Sequence, residues 1–203
     1  MHGIDVDFDP SLTIEVPRDE PGPGWAQAEL ERLGAHDPGL LDDREGVVRW
    51  LDAVRGGVAP TATYTLAVRS PQLSALAVLR FDVIEGALPD EVQRTILEPP
   101  ATLPPRFDVV ELAGLGEALR MQVLAERAGE PYSLVQWLAV REGGSVIVSL
   151  GPLPPQGIAA FRPYAEAVVG SARPIGLELD GRPWLEQRSR LVEVVPPIES
   201  WNP

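Results

Sequence analysis

Between residues 107 and 150 the chain passes four times through alternation of apolar and polar side chains, and the passes are joined by turn-forming residues. A period of two is the signature of a strand with one face against a core. The joints are too short for parallel crossovers, which need a dozen residues or more, so these strands must run antiparallel. The passes are 107–113, 116–127, 132–141 and 145–150, joined by Gly114-Leu115, Ala128-Gly129-Glu130-Pro131 and Glu142-Gly143-Gly144. In the longest, Leu119, Met121, Val123 and Ala125 share one face, with Arg120, Gln122 and Glu126 on the other. The pattern predicts a sheet with one wet face.

Upstream, alternation predicts strands at 5–9 and 12–16, the second with Leu12, Ile14 and Val16 inward and Thr13 and Glu15 outward. Helical spacing follows at 25–33, where Trp25, Ala26, Glu29, Leu30 and Leu33 form a stripe closed by Gly34. A second helix is predicted at 43–55, with Asp42 and Glu45 as a capping pair and Val47, Val48, Trp50, Leu51 and Val54 as its apolar side. Strands are predicted at 61–69 and 74–85, with Leu79, Phe81 and Val83 facing one way and Arg80 and Asp82 the other. A short helix at 89–97 and a loop at 98–106 with four prolines lead into the meander. A last helix is predicted at 157–172, with Ile158, Phe161, Ala165, Val168 and Val169 along one side and Pro163 either starting or kinking it.

Runs of antiparallel strands with helices at intervals make this an α+β chain, mainly an antiparallel sheet packed by helices. The expected organisation is a single domain over 1–173 and a C-terminal tail over 174–203, packed on that domain or on a partner. The tail holds Leu177, Leu179, Trp184, Leu185, Ile198 and Trp201, too apolar for a free disordered end.

Composition then narrows the chemistry. All 17 basic residues are Arg, a bias that fits a GC-rich bacterial genome, and against 30 acidic residues they leave a net charge of −13. Such a field disfavours nucleic acid and anionic membrane surfaces as partners. Without Lys there is no Schiff-base or Walker A lysine, and without Cys no disulfide, thiolate nucleophile or thiolate metal site. The first ten residues carry three Asp and no apolar core of a signal peptide, and no apolar run reaches membrane length, so a cytoplasmic protein is expected.

The remaining motifs are weak. Asp5, Asp7 and Asp9 open like a calcium loop, but Pro10 and Val16 stand where Gly and a carboxylate are required. His2 and His36 are the only imidazoles, and His36-Asp37 falls in an expected helix–helix loop. No G-x-S-x-G or G-x-G-x-x-G occurs. No catalytic residue, cofactor or metal ligand is therefore assigned. Trp50 and Trp137 sit on apolar faces and are expected in the core, whereas Trp184, Ile198 and Trp201 are candidate partner contacts, since Trp is favoured at interface hot spots.

Two segments carry a resemblance. Leu12-Thr-Ile-Glu-Val-Pro17, followed by Gly24-Trp25, is similar to the opening of PsbP-type domains, although its loop is longer. The block 107–171 resembles the back half of the Mog1/PsbP-like superfamily, with a Gly turn at 114–116, a long strand, a hairpin at Gly143-Gly144, Val146-Ile-Val-Ser-Leu150 and a closing helix. Mycobacterial lipoproteins of the LpqN type share this layout; their export signal and acylated Cys are absent from this sequence. The resemblance implies an α/β/α sandwich and a binding or assembly role rather than catalysis. The expected function is thus a protein-binding or adaptor domain that contacts another protein or itself. The alternative is a small-molecule binder or hydrolase with a pocket between a curved sheet and the long helix, for which a polar cluster at Arg120, Gln122 and Gln136 would speak.

Overall fold

The computed structural model describes residues 2–58, 62–70 and 72–179. In chain order its elements are β1 (Gly3–Asp5), β2 (Thr13–Glu15), α1 (Trp25–Gly34), a 3₁₀ turn (Pro38–Leu41) and α2 (Arg44–Gly56). There follow β3 (Tyr64–Ser70), β4 (Leu73–Glu85), α3 (Asp90–Leu97), β5 (Arg106–Leu112), β6 (Gly116–Arg127), β7 (Glu130–Val140) and β8 (Gly144–Leu153). α4 (Pro155–Ser171) and β9 (Arg173–Ile175) complete them. The α+β class holds: one seven-stranded sheet of order β2-β3-β4-β8-β7-β6-β5, every neighbouring pair antiparallel, and a two-stranded ladder of β1 with β9.

The meander is built as the alternation requires. Leu119, Met121, Val123 and Ala125 are buried and Arg120 and Gln122 are more exposed. Each face has its own cover, however, so the expected wet face is not found. On one face Leu66, Leu79, Phe81, Trp137, Val148 and Leu150 meet Ile158, Phe161, Ala165 and Val168 of α4. On the other, the β2–β3 end lies under α1 and α2, through Ile14, Val16, Leu30, Leu33, Leu51 and Ala67. The β6–β7 end of that face is covered by Leu88 and the half-buried Ile96 and Leu97. Alternation shows that two faces differ, but not whether a distant helix dries the second.

Four local expectations change. The cap of α2 is Asp43 rather than Asp42, its carboxylate accepting from the Gly46 N–H at 3.1 Å. The first strand is Gly3–Asp5, not 5–9, because residues 6–9 form a strap along α4 instead of a ladder. The Asp7 N–H donates to Ser171 Oγ and the Asp9 N–H to Tyr164 Oη, both at 2.9 Å. Thr13, expected outward, is buried, and its hydroxyl is 2.7 Å from that of Tyr164. Of the two readings of Pro163, the start is excluded: it stands inside the last helix, which begins eight residues earlier at Pro155, a first-turn position where a proline costs no hydrogen bond.

Two glycines fix how the end of α4 joins the sheet. A Cβ at Gly114 would lie 2.0 Å from the carbonyl oxygen of Ala172, and one at Gly144 would lie 2.6 Å from Leu177. Backbone and side chain can approach there only because no Cβ intervenes.

Candidate functional site

The polar residues singled out above do not converge. Arg120 and Gln122 face α4, since they pair across the ladder with Trp137 and Val135, whereas Gln136 pairs with Met121 and faces away. Arg120 instead clamps sheet to helix. Its guanidinium donates to Asp108 Oδ2 at 2.9 Å and to Glu166 Oε1 at 2.5 Å. The Arg120 hydrogen bond holds the Asp108 carboxyl below its ordinary range. That is a structural ion pair in a packed interface, not a pocket.

Other chemistry is likewise consumed by the fold. Asp37 accepts from the Gly39 N–H, Ser74 Oγ and Arg69 Nη1, each at 3.1 Å, and so pins the 3₁₀ turn to the β3–β4 hairpin. His36 beside it is exposed. The Asp9 carboxylate is taken by the Ser11 N–H at 2.8 Å. Burial, aided by Glu15, pushes the Tyr64 hydroxyl well above the usual phenol range, so it stays protonated. Among the described residues no group of three or more His, Asp or Glu is placed to hold a metal ion. Trp137 is core, while Trp25 and Trp50 are half-buried against the α1–α2 cluster. Trp184, Ile198 and Trp201 lie outside the described residues.

What the described surface does offer is an open groove of about 730 Å³ where β7 begins and β8 runs into α4. Tyr132 and Leu134 supply one wall, with Pro131 beside them, and Pro152, Leu153, Pro154 and Pro155 the other. Arg127 and Glu130 sit on its rim, opposite one another in the β6–β7 ladder. The four prolines of the two walls have no N–H to donate to an added strand. They present instead rigid apolar ridges, which lose little entropy on contact. A smaller groove of about 350 Å³ lies between Trp50 and Val47 of α2 and Ala75 and Leu76 of β4. Sequence reading missed the main groove because its walls come from segments 20 residues apart, each of which reads singly as a turn and a connection.

No family model matches the chain, and no curated protein matches it. A solved structure from Bacteroides thetaiotaomicron is similar over 54% of this chain at 13% identity and a TM-score of 0.35. This chain spans 38% of the length of that one. Among the described residues no helix is long and apolar enough to cross a membrane.

Proposed function

We propose that the protein is a non-enzymatic binding domain that takes a short apolar segment of a partner protein in the groove at Tyr132. The groove carries this reading: a half-buried aromatic and aliphatic wall facing a proline-rich one, with a rim of balanced charge. Exposed concave apolar surface of that kind costs solvation free energy that a partner recovers on binding. Phe81, Trp137 and Phe161 are buried together between the sheet and α4, which favours this reading over a small-molecule or hydrolase pocket there. A binding role is also what the resemblance to Mog1/PsbP-like domains implies.

Panning a random peptide library against the full chain and against Tyr132→Asp tests the proposal. Enriched peptides should be apolar, and their affinity for the variant should fall about tenfold or more, since one well-buried aromatic contact is worth at least that at an interface. Peptides that bind both proteins equally, or no enrichment at all, would remove the groove from consideration.

A further inference from the structure

The covered face opposite α4 holds a break in its apolar lining. Between the α1–α2 cluster and the Leu88 cluster, Thr65, Arg80, Ser149 and Gln136 stand in direct register across β3, β4, β8 and β7. Asp82, two residues along β4, lies on the same face. Its Oδ2 accepts from Arg80 Nε at 2.9 Å, and Gln136 Nε2 donates to Ser149 Oγ at 3.0 Å. Thr65 is 2% exposed, Asp82 8% and Ser149 7%, yet Thr65 Oγ1 and Asp82 Oδ1 have no hydrogen-bond partner.

Buried polar atoms are almost always partnered, because an orphan forfeits its hydration with nothing in return. Two orphans on one face of neighbouring strands, beside an Arg80 side chain that is 42% exposed, call for a polar partner. Its chemistry follows from the row. Arg80 and Asp82 neutralise one another, so neither a cation nor an anion gains from the site. The groups offered alternate in kind: a free carboxylate oxygen accepts, the guanidinium donates, and the Thr65 and Ser149 hydroxyls do either. Adjacent strands set them about 4.8 Å apart. Hydroxyl groups spread over a small ring or chain answer such a mixed array, because each hydroxyl both gives and takes a hydrogen bond.

We propose that this row is the floor of a binding site for a small uncharged polyhydroxyl compound, of the polyol or monosaccharide kind. The row begins two residues along β7 from Leu134 and so adjoins the apolar groove. It rests on a different observation, the orphaned atoms, and stands or falls without the groove.

Proton–nitrogen correlation spectra of the labelled full chain, titrated with glycerol, myo-inositol and D-glucose, provide the test. At least one probe should shift the amides of Thr65, Arg80, Gln136 and Ser149 saturably. Thr65→Val should weaken that binding about tenfold, the scale of one hydrogen bond to a buried group. It should leave the melting temperature unchanged or higher, because the isosteric change removes an unpartnered hydroxyl. Should Thr65→Val disturb the fold, Ser149→Ala serves as the second variant with the same expected weakening. Absence of saturable shifts with all three probes overturns the proposal and leaves the row to ordered water. Shifts that neither variant weakens overturn it as well.

Discussion

The two faces of the sheet are built from the same strands and differ in how they are covered. On one, a single helix of 17 residues lies across the strands, and its apolar side fills the space against Phe81, Trp137 and Val148. On the other, two separate helical units cover the two ends, and a polar row crosses the middle. Under the continuous cover the buried surface is spent on packing, and Arg120 of β6 is spent on holding the cover in place through Asp108 and Glu166. A divided cover leaves a seam, and a seam can hold polar atoms for another use. The difference teaches that unpartnered polar atoms collect where the cover of a sheet is incomplete.

The comparison can be broken most directly at Phe161, which is buried under α4. Phe161→Ala should destabilise by about 3–5 kcal/mol in chemical denaturation, the usual cost of emptying a fully packed aromatic site. A loss near 1 kcal/mol would show that α4 is a loose cover and that the two faces are alike. Leu51→Ala tests the divided side. Leu51 is fully buried in the α1–α2 cluster, and its truncation should cost about 3 kcal/mol. Native-state hydrogen exchange should then rise in α1 and α2 but not in α4, because covers that share little surface open separately. Uniform loss of protection would mean that the face behaves as one unit.

Arg120→Met sharpens the contrast at the clamp. Removing hydrogen bonds to two carboxylates should cost about 2 kcal/mol at neutral pH. Asp108 has a folded pKa below its ordinary 3.8, so its contribution is present above that value and lost as pH falls through the folded one. The variant should therefore lose less stability than the wild type between about pH 4 and lower pH, and parallel acid titrations would contradict the clamp. The smallest effect is at the β6–β7 turn, where Ala128 has φ 54° and Gly129 φ 85°. Both belong to a left-handed two-residue turn that favours Asn-Gly. Ala128→Asn should raise stability by about 0.5–1 kcal/mol, read as a higher denaturation midpoint, without altering the grooves.

Legibility followed the range of the physics. The bounds of β6 could be read directly because its alternation and flanking glycines are local. The α1 and α2 stripes were legible for the same reason, since helical spacing is an i to i+4 matter. Residues 6–9 were misread because a strap and a strand share the same alternation, and only the hydroxyls of Ser171 and Tyr164, more than 150 positions away, distinguish them. Whether Arg120, Gln122 and Gln136 share a face was not legible, because the register that separates them lies between strands, not along them.

By itself, then, the sequence determined the class of fold, the meander and the apolar side of each main helix, because side-chain periodicity over a few residues decides these. It also determined that this chain supplies no thiol or lysine side chain. Only the tertiary structure decided that β4 pairs with β8, and so that Arg80 faces Ser149. It alone decided that Pro131 and prolines 152, 154 and 155 line one groove, and that Thr65 Oγ1 and Asp82 Oδ1 are buried without partners. Those facts depend on which distant surfaces meet, and the free energy that selects such meetings is spread over the whole core rather than written at any one position.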